Sequence, residues 1–231
     1  MTKHLRVTWP DAALFRARGG APLRILALSD EVEPAIESPE APETLGPIDF
    51  ILGAGDLGPE YLDRVAHAFN APLLFVRGNH DTGINWRNVA PLLLPEPLPD
   101  GRLVTEADLP IVGFGGSPVY NEGPMQITAS EMWIRVVGAW LRLWRERRPI
   151  LVVTHAAPRG LGDAEDLPHR GFTAFRWLRD RLRPPLWLHG HTALVRRGLD
   201  ERCVRHDGTL LYNCTGATIV ELVPPDATAS A

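Results

Sequence analysis

Five short apolar runs in this chain each stop at a polar residue of one chemical kind. Arg24-Ile25-Leu26-Ala27-Leu28-Ser29 ends at Asp30, and Phe50-Ile51-Leu52-Gly53-Ala54-Gly55 ends at Asp56. Leu73-Leu74-Phe75-Val76-Arg77-Gly78 ends at Asn79-His80-Asp81, Ile150-Leu151-Val152-Val153-Thr154 at His155, and Leu186-Trp187-Leu188 at His189-Gly190-His191. Continuous apolar runs of this length predict strands buried on both faces. In open α/β sheets, ligands bind outside the carboxyl ends of such strands. The oxygen and imidazole groups delivered there are the donor set of a hard-to-borderline divalent metal.

Other periodicities predict the surrounding elements. Pro59 at a helix start and the apolar positions Leu62, Val65, Ala66 and Phe69 predict a helix to about Asn70. Thr128 and Glu131 form a capping-box pattern for a second helix. Its Trp133, Val136, Val137, Trp140, Leu141 and Trp144 recur at helical spacing and predict a core-facing stripe, with Arg142, Arg145, Arg147 and Arg148 as a solvated basic end. A third helix is expected over Thr173 to Leu182. Residues 33–47, rich in Pro and Glu, read as a loop or short helix near the site. After Trp187 come strand candidates at 194–196, 202–205, 210–213 and 217–222. This order predicts an α/β fold of two stacked mixed β-sheets flanked by helices, over residues 22–223. Residues 1–21 are expected to be a peripheral extension and 224–231 a disordered tail.

Bulk properties narrow the partners. A length of 231 residues suits one large domain. The net charge of −4 gives no electrostatic case for nucleic acid or an anionic membrane. No apolar stretch reaches the ~20 residues of a membrane span, and the first ten residues lack a signal-peptide core, so the expected location is cytoplasmic. Asp207-Gly208 is a hairpin turn signal that pairs His206 with Thr209 and Cys203 with Tyr212. Cys214 is then out of register with Cys203, so both are expected as thiols.

Gly53-Ala54-Gly55-Asp56-Leu57-Gly58 matches the dinucleotide fingerprint, but Asp56 would put a negative charge where a pyrophosphate needs bare amides. Together, Asp30, Gly55-Asp56, Gly78-Asn79-His80-Asp81, His155 and Gly190-His191 resemble the calcineurin-like metallophosphoesterases. The resemblance spans roughly residues 23–222 and implies that family's four-layer sandwich. It implies one metal held by Asp56, Asn79, His155 and His191, and a first metal that shares Asp56 and uses Asp30. That first site lacks two imidazoles, because Val32 and Ala193 stand where the family pattern has His. Glu33 is the candidate replacement ligand. The expectation is one tight and one weak site for a divalent metal, manganese first, with Fe, Zn, Ni or Co also suited to such donors.

The resemblance further implies hydrolysis of a phosphomonoester or phosphodiester by metal-activated water. His80 would stabilise transition-state charge or protonate the leaving oxygen, with Asp81 orienting it. Gly115 to Thr128 and Pro158 to Phe172 resemble a bacterial branch of the family, which makes Arg159, His169 and Arg170 candidates for contact with a small phosphorylated substrate. His189 is read as structural, and His4, His67 and His206 as surface residues. The competing expectation is a catalytically degenerate relative acting as a scaffold or sensor.

Overall fold

The computed structural model describes residues 2–192 and 199–225. Its strands are β1 (Lys3–Thr8), β2 (Leu23–Ser29), β3 (Phe50–Gly53), β4 (Leu73–Phe75), β5 (Leu103–Glu106), β6 (Leu109–Phe114), β7 (Ser117–Pro118), β8 (Gln126–Ile127), β9 (Leu151–Thr154), β10 (Leu186–His189), β11 (Cys203–His206), β12 (Thr209–Asn213) and β13 (Gly216–Val223). The helices are α1 (Ala41–Leu45), α2 (Pro59–Phe69), α3 (Gly83–Asn88), α4 (Ala90–Leu93), α5 (Ala129–Leu143), α6 (Thr173–Leu182) and α7 (Leu199–Arg202).

One sheet runs β1-β13-β2-β3-β4 and the other β11-β12-β10-β9-β6-β5, both mixed. Every strand of the five apolar runs is there. β2, β3 and β4 lie parallel in the first sheet, and β9 and β10 lie parallel in the second. The two sheets face each other across a core of Ile25, Ala27, Phe50, Leu52, Leu151, Val153, Leu186, Leu188 and Tyr212. α2 covers the outer face of the first sheet through Tyr61, Leu62 and Val65. α5 and α6 cover the second through Met132, Val136, Ala139, Phe175 and Leu178. All five polar motifs therefore emerge at the carboxyl ends of parallel strands drawn from two stacked sheets.

Residues 1–21 are not peripheral. β1 is an edge strand parallel to β13, and Trp9, Leu14 and Phe15 beyond it are buried in the shared core. Half-burial on an edge leaves the alternation Lys3-His4-Leu5-Arg6-Val7-Thr8, which reads weakly as a strand. The aromatic stripe of α5 is also out of phase with the structure. The buried face is Met132, Val136, Ala139 and Leu143, while Val137, Leu141 and Trp144 are exposed. Trp133 and Trp140 lean on Trp177 of α6 at ring distances of 5.6 and 5.7 Å. The hairpin forms in the expected register, with Asp207 and Gly208 both at positive φ and both cysteines as thiols. The strand candidate at 194–196, Ala193, and residues 226–231 of the tail lie outside the described residues.

The capping box is formed. Thr128 N–H donates to Glu131 Oε2 at 2.9 Å, and Glu131 N–H donates to Thr128 Oγ1 at 3.2 Å. Thr128→Ala is expected to cost about 1 kcal/mol. For a chain of this size that is a fall in Tm of roughly 2–4 °C, read by thermal melts.

Candidate metal centre

Asp56, His155 and His191 each offer a ligand atom, and these atoms lie within 4.8 Å of one another. Ligands bonded to a common ion at ~2.0–2.2 Å are at most ~4.4 Å apart, so a closing of a few tenths of an ångström completes the site. Asn79 joins them, its Oδ1 3.0 Å from His155 Nε2. His155 is fully buried, and its Nε2 is also 3.3 Å from Asp56 Oδ2.

Backbone geometry aims these groups. Asp30, Asp56 and His191 all sit at positive φ, 60°, 58° and 66°. That conformation costs of order 1–3 kcal/mol at a non-glycine residue and collects at functional sites. The motif glycines have a steric reason: a Cβ on Gly78 would overlap the Asp56 carboxylate, and one on Gly190 would overlap the Asp30 carboxylate and the Ser29 hydroxyl. Each glycine thus lets a carboxylate from a neighbouring strand end pass close to its backbone.

Second contacts fix which atom each ligand presents. His155 Nδ1–H donates to the Ala54 carbonyl at 2.8 Å, leaving Nε2 to face the cluster. His191 Nε2–H donates to the Pro168 carbonyl at 2.5 Å, leaving Nδ1. The Asn79 amide donates to the Tyr120 hydroxyl at 3.0 Å, which turns its oxygen inward. These oriented N and O donors fit a divalent cation.

Charge in the cluster follows from the same contacts. Burial opposes a charge on His155, but the hydrogen bond and negative charge of Asp56 outweigh it and hold His155 at about 9. Burial likewise works against the Asp56 carboxylate. The bond and charge of His155 and the His80 N–H at 2.7 Å win, and its pKa lies below the ordinary value. His191 is pushed down to about 3, first by burial and then by the charge of His155.

Three expected roles change. The Asp81 carboxylate accepts the N–H groups of Gly78 at 2.7 Å and Asp56 at 2.9 Å. It is a buried brace that ties two motif backbones together, and burial pushes it up to about 6. It does not orient the His80 ring, which is exposed. Glu33 is not brought to the cluster: its Oε1 accepts Ala217 N–H at 2.9 Å and lies 3.8 Å from Lys3 Nζ. The Asp30 carboxylate is close by, but it accepts His191 N–H at 3.0 and 3.1 Å and the Ser29 hydroxyl at 2.5 Å. It ties the two sheets together where the resemblance implies a first metal, and Val32 beside it is exposed.

A family model for calcineurin-like phosphoesterases matches residues 24–194, most of the chain. The chain belongs to the calcineurin-like phosphoesterase family. Membership implies a divalent metal, and Asp56, His155 and His191 are residues that can bind one. At the family level the chain is a metal-dependent hydrolase of the phosphoesterase superfamily. Similar solved structures include TT1561 of Thermus thermophilus, at 16% identity and a TM-score of 0.54, covering 84% of this chain and 90% of that one. Another is a candidate 5′-nucleotidase from Staphylococcus aureus in complex with alpha-ketoglutarate, at 12% identity and a TM-score of 0.53, covering 91% of this chain and 56% of that one. At these identities the likeness is one of fold. A search of curated proteins finds no match.

The Pro158 to Phe172 loop carries the substrate-contact candidates of this phosphoesterase. The Arg159 guanidinium is taken up by Asp163 and Glu165, both at 2.7 Å, so it clamps the loop onto itself. Arg170 Nε donates to the Glu165 carbonyl at 3.0 Å and the residue is otherwise exposed. His169 is the one of the three at the cluster, its ring 5.3 Å from that of His191 and its Nδ1 2.5 Å from Asp166 Oδ2. Sequence reading missed Pro168 and Tyr120, because a main-chain carbonyl and a loop hydroxyl leave no motif. His189 is fully buried, with its Nε2 against Gly162 and its Nδ1 3.2 Å from the Gly190 carbonyl oxygen. Of the dinucleotide-like fingerprint's glycines, Gly53 ends β3, Gly55 lies against the Gly78 backbone and Gly58 is the N-cap of α2.

Proposed function

We propose that this chain hydrolyses small phosphorylated substrates, phosphomonoesters or phosphodiesters, in the cytoplasm with manganese as its metal. The observation that carries this reading is the oriented cluster of Asp56, Asn79, His155 and His191 with exposed His80 at its mouth. Asp56, Asn79, His155 and His191 would hold a divalent cation there, which would supply a nucleophile at neutral pH by lowering the pKa of water towards ~7 and would offset charge on the phosphoryl oxygens. His155 and His191 enter the site with their outer N–H groups committed to carbonyls, so neither ring turns during a cycle. His80 is anchored through its backbone N–H to Asp56, which leaves the imidazole facing solvent to protonate a departing oxygen. The 5.3 Å between the His169 and His191 rings supports a role for His169 in donating to a phosphoryl group. Among the described residues no helix is long and apolar enough to cross a membrane.

A second reading, a binding scaffold that has lost catalysis, draws on Asp30 and Val32. Asp30 is committed to His191 N–H, and an exposed valine stands two residues on. A panel of chromogenic phosphomonoesters and phosphodiesters, run on demetallated protein with each metal restored singly, separates the two. Metal-dependent turnover that chelation abolishes is expected. Bound metal with no turnover on any ester would leave the scaffold.

A further inference from the structure

Among the described residues, four of the ten exposed large hydrophobic side chains lie on α5 and its C-terminal cap: Ile134, Val137, Leu141 and Trp144. They are spaced as one continuous stripe on the side away from Met132, Val136, Ala139 and Leu143, which pack on the sheet. A helix that is apolar on both sides is normally buried on both.

Gly138 lies along one side of that stripe, between Ile134 and Leu141 on the helix surface. Among the described residues a Cβ there would meet only the Arg142 guanidinium, at 3.6 Å or more, so none of them requires glycine. A mid-helix glycine is destabilising relative to alanine, because it loses more backbone freedom on folding. What it permits is a close approach by another backbone. The ends of the stripe carry opposite charges, Glu131 at the start and Arg145, stacked 4.7 Å over Trp144, at the finish.

We infer that the outer face of α5 is a homodimer interface, on which a second copy of this chain packs its own α5 antiparallel about a two-fold axis near Gly138. That axis sets Ile134 of one copy against Leu141 of the other. It also sets Glu131 against Arg145 twice over, and opposes the two helix dipoles. The same patch matched to itself closes as a dimer and leaves no edge for further growth.

Sedimentation velocity over a wide concentration range tests this. The wild-type chain is expected to run as a dimer. Leu141→Glu and Gly138→Leu are each expected to weaken it by at least about thirtyfold, the scale of a central interface residue. Gly138→Leu also replaces a poor helix former at an open position, so its monomer should melt no lower than wild type. A wild-type monomer at every concentration overturns the inference, as does a dimer that withstands both substitutions. A monomer that co-floats with phosphatidylserine vesicles through this face overturns it in favour of a membrane.

Discussion

Turnover of His80→Ala is expected to fall about 10²–10⁴-fold while its metal content stays at the wild-type level. The separation follows from geometry. His80 is tied to the cluster through its backbone N–H, which donates to Asp56 Oδ1 at 2.7 Å and survives truncation of the ring. The imidazole itself is exposed and stands outside the ligand set. Steady-state assays with saturating metal, alongside elemental analysis of the dialysed variant, check both halves. An unchanged turnover would remove His80 from the chemistry. A parallel loss of metal would make it a ligand instead.

Metal affinity is expected to climb about tenfold per pH unit from neutrality to about pH 9 and then level off, with one proton released per ion bound. The cause is His155, which Asp56 holds protonated to about 9 in the metal-free site, so a cation must displace that proton. The sign for stability runs the same way. A histidine whose folded pKa is raised stabilises the metal-free fold fully below its unfolded value, and that contribution is lost as pH rises from about 6.5 through 9. The gap in Tm between loaded and metal-free protein should therefore widen across this window. Calorimetry in buffers of different ionisation enthalpy reads the proton, and melts read the gap. A pH-independent affinity would mean that His155 is neutral before metal arrives. His191, pushed down to about 3, contributes no proton at any of these pH values.

The strand ends and the polar groups gathered there were legible because a buried run that stops at a carboxylate or imidazole has few structural alternatives. Register was legible at Asp207-Gly208, where the turn type itself dictates the pairing. The phase of α5 was not, since apolar residues surround that helix and periodicity alone does not say which side meets the sheet. Glu33 looked like a spare ligand because sequence distance from Asp30 is short, whereas the fold turns it toward the start of β13. The contacts of Asp81 and Arg159 were not legible, because their partners are backbone amides and loop carboxylates, which carry no side-chain pattern at a fixed spacing.

The placement of β13 between β1 and β2 has a consequence for how the protein is made. β1 and β2 leave the ribosome early, yet neither is the other's neighbour, and the strand that joins them comes last of those described. Until β13 arrives, β2 presents an unpaired edge and a fully apolar run, the kind of surface that invites wrong pairings. Asp30 stands at the end of that strand and holds the His191 amide, so the centre's geometry waits on the same late event. Nascent chains stalled before residue 216 should therefore neither retain metal nor resist protease over residues 23–29, and both properties should appear together once β13 is released.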